Sequence, residues 1–413
     1  MRVLHVTHQY FPAIGGSEKY ITDISEELAR KGHRIDVFTS RSRDFHTWAN
    51  TLEPNEVRSG VNVRRFRSLP RTSLTWKLLS YGVNQYRRTH RRYFQPLIWY
   101  GNGPVCAGMF FAILSAGRRY DLIHISQLHY AHSWLAAKAA RWAGIPVVLT
   151  PLVHAEQPVT YEFPYLQSVM DTSDVIIAIT ESEREFLAER NRNREVVLTG
   201  TGLRISEYPP LDPVASRRSL GLRDSEFVVL FLGRKGLYKG LDKTIDAVRE
   251  LRNKGMSVHL LAVGPETEFS RKLWKEHGDT PWITVKDAVT HDEKLAVLAA
   301  CDVLALPSTG ESFGIVYLEA WAYEKSVIGA RINAVSSLID HGTDGLLCEP
   351  DSVQSVYENL NCLIQDSELR KRLGANGRDK LERRYTIERI GDIVEGTYAR
   401  LLRRGRQMQA ARG

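Results

Sequence analysis

The chain has 413 residues, of which 43% are hydrophobic and 25% are charged, and its formal net charge is +8. These proportions are typical of a globular protein of two or three domains, and they exclude a disordered chain and a disulfide-stapled miniprotein. No apolar run approaches the roughly 18 residues needed to cross a bilayer. The N-terminal segment carries His5 and His8 where a signal peptide needs an unbroken apolar stretch, so the simplest expectation is a cytoplasmic chain.

The net positive charge is confined to the first half of the chain. Residues 1–205 hold 26 basic and 18 acidic residues, whereas residues 206–413 hold 30 of each. Within the first half, residues 57–120 contain 12 basic residues, 11 aromatic residues and no acid. A basic half joined to a neutral half predicts two domains with different partners.

The first half opens with a β-loop-α-β unit. An apolar, β-branched run at Val3–Thr7 predicts a strand, Gly15 and Gly16 follow it, and a helical pattern leads to a second strand at Ile35–Thr39. The two strands are therefore predicted to be parallel. Further buried strands are predicted at Leu122–Ile125, Pro146–Thr150 and Val175–Ile179.

The same pattern restarts after a proline-rich stretch at 206–213, which is typical of an interdomain linker. A strand at Phe227–Leu232 and a helix at Leu241–Lys254 open the second series. Its other strands are predicted at Val258–Val263, Trp282–Val285, Val303–Leu306 and Ser326–Gly329. We therefore expect two tandem doubly wound α/β domains, 1–205 and 206–385, and a C-terminal helix over 386–413 that packs back on the N-terminal domain.

Candidate ligand-binding residues follow the predicted strands, where open parallel sheets bind their ligands. Gly15 and Gly16 let the backbone approach a phosphate or a sugar, although a tight turn alone also needs glycine. The loop GRKGLYKG, after the first strand of the second domain, carries Arg234 and Lys239. Two such cations can hold a diphosphate, Lys235 is an alternative contact, and a solvated basic loop is the other interpretation.

The segment PSTGESFGIVYLEAWA, residues 307–322, contains two glutamates eight residues apart. Glu311 stands at the predicted strand-to-helix junction and Glu319 lies in the helix, where eight helical residues span about 12 Å. Because glycosidase carboxylates are only roughly 5–9.5 Å apart, these two are predicted to contact different parts of one ligand. In the alternative interpretation neither glutamate binds a ligand: one caps the helix and the other lies on the surface. The helix start also offers the backbone N–H groups of Phe313, Gly314 and Ile315.

The spacing Glu311-x7-Glu319, preceded by Pro307-Ser308, resembles the signature of retaining GT-B glycosyltransferases of glycosyltransferase family four, the group 1 enzymes. GRKGLYKG resembles the family's phosphate-binding loop, FPAIGGSEKY its N-terminal glycine loop, and IDHGTDGLLCEPDS its segment that ends in a glycine, an apolar pair and a proline. The matches occur in family order and cover nearly the whole chain. The resemblance implies a GT-B architecture, in which two Rossmann-like domains face a cleft. It also implies retaining transfer of a sugar from a UDP- or GDP-linked donor to a hydroxyl acceptor.

The resemblance also implies a role for each site residue. Glu311 would contact donor-sugar hydroxyls, and Glu319 would bind the ribose. Arg234 and Lys239 would hold the diphosphate as it leaves, and His154 would hydrogen-bond the reacting sugar. The other expected donor-side residues are Gly15, Gly16, Gly264, Val289, Ser312, Phe313, Gly314 and Ile315. His8 is expected on the acceptor side with His5 beside it, whereas the histidines expected to be structural are His124, His129 and His132.

Two departures from the family pattern bear on donor-sugar contact. Thr201-Gly202 stands where the family often has Asn-Gly, and Asn333-Ala334 stands where it often has Gly-Gly. The sequence also contains no DxD triplet, the pair with which metal-dependent glycosyltransferases typically hold Mg²⁺ or Mn²⁺. We expect no metal and no other cofactor, because the two loop cations and the helix N-termini supply positive charge.

The resemblance also implies that residues 57–120 lie on the acceptor side, because the N-terminal domain of a GT-B protein faces the acceptor. Basic residues near an anionic leaflet contribute about 1 kcal/mol each, and tyrosine and tryptophan favour the lipid–water interface. Residues 74–100 are therefore predicted to dock on an anionic membrane, and the acceptor is predicted to be lipid-linked or an anionic glycan. The arginines on this face are Arg87, Arg88, Arg91 and Arg92. The alternative is that the aromatic residues pack in a core and the arginines form a solvated face; nucleic acid is not expected, because no recognition motif accompanies the charge.

Two other functions fit the same motifs. A GT-B-shaped epimerase would convert a sugar nucleotide without an acceptor, and a non-catalytic sensor would only bind one. The Glu311-x7-Glu319 pattern favours the transferase over the epimerase. A sensor has no need to combine Glu311, the two cations and His154.

Overall fold

The computed structural model of the protein describes residues 1–13, 15–153, 158–192, 194–277 and 280–410. The chain divides into two compact units, one formed by Met1–Gly202 with Ile387–Gly413 and the other by Leu203–Thr386. We call them the N-terminal unit and the C-terminal unit. Each contains one sheet with helices between its strands, so the two tandem α/β domains predicted from the sequence are confirmed.

The N-terminal unit contains an eight-stranded sheet in the order β3-β4-β2-β1-β5-β6-β7-β8. Its strands are β1 (Arg2–Val6), β2 (Arg34–Ser40), β3 (Asn55–Arg58), β4 (Val61–Phe66), β5 (Leu122–Ser126), β6 (Val147–Thr150), β7 (Val175–Ala178) and β8 (Glu195–Leu198). Its first seven helices are α1 (Gly16–Arg30), α2 (Ser73–Thr89), α3 (Gln95–Asn102), α4 (Ala107–Ala116), α5 (Ala131–Ala143), α6 (Pro164–Thr172) and α7 (Glu181–Arg190). The strand order reverses between β1 and β5, which makes the ends of these strands the topological switch point.

An antiparallel hairpin, β3–β4, extends this sheet at one edge, and the sequence analysis missed it. Its two-residue turn places Ser59 at φ 47° and Gly60 at φ 80°, as a type I′ turn requires. In β4 the buried Val61 and Val63 alternate with exposed polar residues. The period-2 alternation is short in the sequence, because the buried position that follows Val61 and Val63 on the same face is an arginine, Arg65.

The C-terminal unit contains a six-stranded parallel sheet in the order β11-β10-β9-β12-β13-β14. Its strands are β9 (Phe227–Leu232), β10 (Val258–Val263), β11 (Ile283–Lys286), β12 (Val303–Leu306), β13 (Ser326–Ala330) and β14 (Leu346–Cys348). Its helices are α8 (Pro213–Ser219), α9 (Leu241–Asn253), α10 (Glu268–His277), α11 (His291–Ala300), α12 (Ile315–Trp321), α13 (Asn333–Ser336), α14 (Val353–Gln365) and α15 (Ser367–Arg384). The switch point of this sheet lies between β9 and β12.

The last helix, α16 (Ile387–Ala410), belongs to the N-terminal unit. Its Tyr398 is completely buried, and the hydroxyl lies 3.2 Å from His5 Nε2 and 2.5 Å from His124 Nδ1. Burial lowers the pKa of His5 and brings that of His124 to about 3, so both rings stay neutral. His5 is therefore a core residue, and its predicted place beside His8 in the site is wrong because its ring is sealed inside the unit.

One bent pair of helical segments meets the length and composition criteria for a membrane span. Within the described ranges, no single helix has both the length and the apolar character needed to cross a bilayer. Arg92–Asn102 and Ala107–Ala116 satisfy the two criteria together but meet at 97°. Ile98, Met109 and Ile113 in this pair are fully buried in the unit, as in the core helices of many proteins.

Candidate functional site

The residues predicted to bind the donor come together at the switch point of the C-terminal unit. Loops 233–240 and 307–314 follow β9 and β12, which are neighbours in the sheet. Loops 264–267 and 287–290 follow the next two strands, β10 and β11. Because all four strands are parallel, the four loops lie at one edge of the sheet, where open α/β sheets bind ligands.

Hydrogen bonds hold the first two loops against each other. The carbonyl oxygen of Tyr238 accepts from the Thr309 backbone N–H at 2.8 Å and from the Ser308 hydroxyl at 3.1 Å. Gly240, at φ 72°, is the N-cap of α9, and a Cβ there would lie 2.6 Å from the Pro307 carbonyl oxygen. The glycine is therefore required by the close approach of the two loops.

The two loops bring Lys239 and Glu311 together as an ion pair. Only 14% of the lysine side chain and 10% of the glutamate side chain are exposed. Both were predicted to contact the donor, Lys239 at the diphosphate and Glu311 at the sugar. Arg234 lies exposed on the same loop as Lys239, and Ser312 is half-buried next to Glu311.

Glu319 has different partners from Glu311. Lys294 Nζ lies 2.7 Å and the Tyr208 hydroxyl 2.8 Å from the same oxygen, Glu319 Oε1. Only 5% of the Glu319 side chain is exposed. Lys294 lies on α11 and Tyr208 lies within the proline-rich stretch 206–213, and neither was singled out from the sequence.

Helix α12 begins four residues after Glu311, so the two glutamates are not separated by eight helical residues. It begins at Ile315 with Gly314 as its N-cap at φ 90°, so Glu311 lies on the preceding loop. The separation of about 12 Å derived from eight helical residues is therefore wrong in its premise. Buried Phe313 also precedes the helix, and a Cβ on Gly314 would lie 2.5 Å from the ring of Tyr317, which explains the glycine.

Lys235 has a structural position. Its ammonium donates to the carbonyl oxygens of Gly264 at 2.5 Å and Lys286 at 2.7 Å, and to Glu266 Oε1 at 2.6 Å. The side chain is completely buried, and these three acceptors use all the donors of an ammonium group. Lys235 is therefore not the alternative phosphate contact. It fixes the loop after β9 to the ends of β10 and β11.

Gly264 and Val289, two of the expected donor-side residues, lie on the loops after β10 and β11. Gly264 has φ 132°, and a Cβ there would lie 2.1 Å from the Gly233 carbonyl oxygen. It therefore packs directly on the start of the loop that carries Arg234. Val289 is half-buried just before α11. The departure at Asn333-Ala334 falls at the start of α13.

The switch point of the N-terminal unit contains His8, which the sequence predicted for the acceptor side. His8 Nε2 lies 3.0 Å from Glu18 Oε1, and both side chains are buried. The His8 ring stacks on Tyr130, which follows β5, with centroids 4.3 Å apart and planes at 14°. His132 also packs against His8, with centroids 5.7 Å apart, although it was expected to be only structural.

Glu18 lies against the two glycines at the start of α1. A Cβ on Gly15 would lie 2.1 Å from Glu18 Oε2, and Gly16 is the first residue of α1. Burial acts to raise the pKa of Glu18, but the hydrogen bond and charge of His8 outweigh it and hold the pKa below its ordinary value. An ionised carboxylate therefore already occupies the N-terminus of α1, where the sequence predicted room for an anion.

The predicted docking face lies on α2 and the turn that follows it. Arg87, Arg88, Arg91 and Arg92 are all exposed, and none forms an ion pair with the described part of the chain. Trp76, Tyr81 and Tyr93 are exposed too, whereas Phe94 is buried and Tyr86 and Trp99 are half-buried against the core. The aromatic residues therefore divide between an exposed face and the interior.

Two further expectations concern His154 and a metal. His154 lies outside the described residues. Among the residues that are described, no group of three or more histidine, cysteine, aspartate or glutamate side chains is arranged to hold a metal ion.

Two glycosyltransferase family profiles match the chain, one in each half. The profile of the family described as "Glycosyl transferases group 1" matches residues 214–380, and that of the "Glycosyl transferase 4-like domain" matches residues 15–201. A D-inositol 3-phosphate glycosyltransferase of Corynebacterium efficiens is 27% identical, covering 87% of this chain and 84% of the relative. An N-acetyl-alpha-D-glucosaminyl L-malate synthase of Bacillus anthracis is 25% identical, covering 95% and 96%.

Solved structures show the same fold. The Anabaena protein Alr3699/HepE, crystallised with UDP and glucose, superposes with a TM-score of 0.72 at 20% identity, covering 97% of this chain and 99% of that one. A sucrose-phosphate synthase of Thermosynechococcus elongatus also gives a TM-score of 0.72 at 20% identity, with complete coverage of both chains. The two profiles together span most of the sequence, and the chain belongs to the group 1 glycosyltransferases, with the GT-B fold class that its motifs predict.

Proposed function

We propose that the protein transfers a sugar from a UDP- or GDP-linked donor to a hydroxyl acceptor with retention of the anomeric configuration. One observation carries the proposal. The sheet of the C-terminal unit brings Lys239 and Glu311 into contact from two different loops at its switch point. A cation for the diphosphate and a carboxylate for the sugar hydroxyls are thereby placed side by side.

The donor is held in two parts. Lys239 and Arg234 bind the diphosphate and stabilise the charge that develops as it leaves, a form of electrostatic stabilisation that needs donors fixed in advance. Glu311 binds donor-sugar hydroxyls, and Glu319 binds the ribose. The separate partners of the two carboxylates, Lys239 for one and Lys294 with Tyr208 for the other, support this division.

Positive charge from side chains replaces a metal in this proposal. The sequence has no DxD triplet, and Lys239 and Arg234 lie on the loop that would receive the phosphates. We therefore propose that transfer needs neither a divalent metal nor another cofactor.

Related proteins bear on the choice of donor. Alr3699/HepE has been crystallised with UDP-glucose, which favours a uridine nucleotide, but the residues near Gly264 and Val289 do not by themselves distinguish uracil from guanine. Both bases therefore belong in the test.

The acceptor is proposed to be anionic or lipid-linked and to be met at an anionic membrane surface. On α2 the exposed Leu74, Lys77, Tyr81 and Arg88 recur at helical spacing and form one face without an acid. The four arginines of this region would contribute about 1 kcal/mol each near an anionic leaflet. A relative named for D-inositol 3-phosphate supports an anionic acceptor.

A panel of UDP- and GDP-linked sugars tests the donor assignment. We expect one of them to raise the melting temperature and to be slowly hydrolysed to the nucleoside diphosphate in the absence of an acceptor. Glu319→Gln should abolish the thermal shift, whereas Glu358→Gln, an exposed glutamate on α14, should not. Conversion to another sugar nucleotide without release of diphosphate would favour an epimerase. Binding without any turnover, even with acceptor panels, would favour a sensor.

Co-sedimentation with vesicles tests the membrane contact. At low salt the protein should pellet with phosphatidylglycerol vesicles and remain in solution with phosphatidylcholine vesicles, and high salt should release it. The double variant Arg87→Gln/Arg88→Gln should bind more weakly. A matched variant, Lys272→Gln/Lys371→Gln, removes the same charge from exposed positions of the C-terminal unit and should bind like the parent. Absence from both pellets at low salt would refute the contact.

A further inference from the structure

A cavity of about 610 Å³ lies in the N-terminal unit, away from the residues assigned to transfer. It is formed by β2, the β3–β4 hairpin and α4 with the turn after it. Arg34, Asp36 and Phe38 alternate along β2, so the cavity lies on one face of the sheet. His8 lies beyond the carboxyl end of β1, and neither His8 nor Glu18 is among the residues that line the cavity.

Three arginines line this cavity. Arg34, Arg64 and Arg119 are exposed, and none forms an ion pair within the described part of the chain. The Arg64 guanidinium lies over the Phe66 ring, 4.9 Å from its centroid, which orients it without cancelling its charge. A cavity with three unpaired guanidinium groups favours an anionic ligand.

The two acids of the cavity are already engaged. Asp36 accepts from the Tyr120 hydroxyl at 2.7 Å and from Asn62 Nδ2 at 2.8 Å. Burial and the bond to Asp36 raise the pKa of Tyr120, so the phenol keeps its proton and remains a donor. Glu56 is paired with the buried Arg65. The acids therefore build the wall of the cavity and leave the three arginines to the ligand.

We propose that this arginine cavity binds a small phosphate-bearing molecule. Its volume lies within the range of about 300–1,000 Å³ typical of small-molecule sites. Guanidinium groups bind phosphate oxygens through paired, charge-assisted hydrogen bonds. The apolar residues of the lining, Phe38, Ala112 and Ala116, receive the carbon body of the ligand. A soluble phosphate ester and a phospholipid headgroup share this chemistry.

Calorimetric titration of the full chain with glycerol 3-phosphate tests the site without any need for turnover. We expect saturable binding that Arg64→Gln and Arg119→Gln each weaken about tenfold or more, as loss of a charge-assisted pair predicts. Arg192→Gln, an exposed arginine elsewhere in the unit, should leave the affinity unchanged. Lys239→Met should also leave it unchanged, which separates this site from the donor site. All variants are compared after a melting curve confirms that they fold.

A cavity-filling variant distinguishes binding in the cavity from nonspecific electrostatic attraction to the arginines. Ala112→Phe keeps all three arginines but fills the apolar wall, and it should abolish binding. Vesicles of phosphatidylglycerol identify the source of the ligand. If the protein binds glycerol 3-phosphate but its binding to the vesicles does not depend on Arg64, the ligand is a soluble ester. If Arg64→Gln weakens binding to the vesicles, the ligand is a lipid headgroup. No saturable binding of either probe, or equal affinity in Arg64→Gln, Ala112→Phe and the parent, would overturn the proposal.

Discussion

Lys239→Met perturbs stability and turnover through the same contact. The substitution leaves Glu311 as a nearly buried carboxylate without its cation. Breaking a buried pair in this way costs about 3 kcal/mol, the lower end of the usual range, because 14% of one side chain and 10% of the other remain exposed. For a unit of this size, that loss lowers the melting temperature by about 6–12 °C.

The same substitution should depress catalysis. Loss of one preorganised group that stabilises developing charge typically costs about 10²–10³ in kcat. A second variant separates the two effects. Lys239→Met/Glu311→Gln removes both charges, so most of the lost stability should return while turnover stays low.

Lys243→Met is the matched control for both measurements. This lysine lies on α9, four residues further along, and pairs with Asp351, whose side chain is 76% exposed. Exposed pairs contribute about 0–1 kcal/mol, so stability and turnover should stay close to those of the parent. The assays are thermal unfolding and initial rates at saturating donor. Normal turnover of Lys239→Met would refute the diphosphate assignment, and a double variant as unstable as the single one would refute the ion-pair argument.

Four further outcomes follow from the structure. Glu319→Gln should mainly weaken nucleoside diphosphate binding and Glu311→Gln mainly turnover, and calorimetry showing equal loss of affinity in both would contradict the division. Gly264→Ala should be destabilising in thermal unfolding, because its Cβ would lie 2.1 Å from the Gly233 carbonyl oxygen at φ 132°; an unchanged melting temperature would rule out that contact. As the pH falls from about 6.5 to 4, the parent should lose stability more steeply than His124→Asn, by up to about 1.4 kcal/mol per pH unit. The reason is that His124 binds a proton in the unfolded chain, whereas the buried ring, with a pKa of about 3, does not. Equal slopes of unfolding free energy against pH in urea unfolding would argue against the neutral buried ring. Activity should survive dialysis against EDTA, and loss that Mg²⁺ or Mn²⁺ restores would refute metal independence.

The sheet of the C-terminal unit was the part most accessible from sequence. Strands buried on both faces read as continuous apolar runs, so β9, β10 and β12 were predicted with the bounds that the structure has. The loops after them carry glycines whose close contacts leave little room for other residues. The positions of Lys239 and Glu311 followed from those strands, but their contact depends on the order of strands in the sheet, which periodicity does not reveal.

What the sequence did not reveal depends on long-range contacts. Glu18 pairs with His8 across the start of a helix, and Lys294 reaches Glu319 from a different helix. Lys235 and Lys239 are alike in sequence, yet one is sealed by three acceptors and the other lies at the site edge. The burial of each lysine determines whether it can contact a ligand, and burial is a property of the folded unit.

The most direct test of the central claim is the anomeric configuration of the product. The protein is incubated with the sugar nucleotide that the panel identifies and with an acceptor, and proton NMR follows the first-formed product. Retaining transfer predicts that the anomeric proton of the new glycoside has the configuration of the donor. A product with the inverted configuration would contradict the retaining mechanism that the Glu311-x7-Glu319 motif implies.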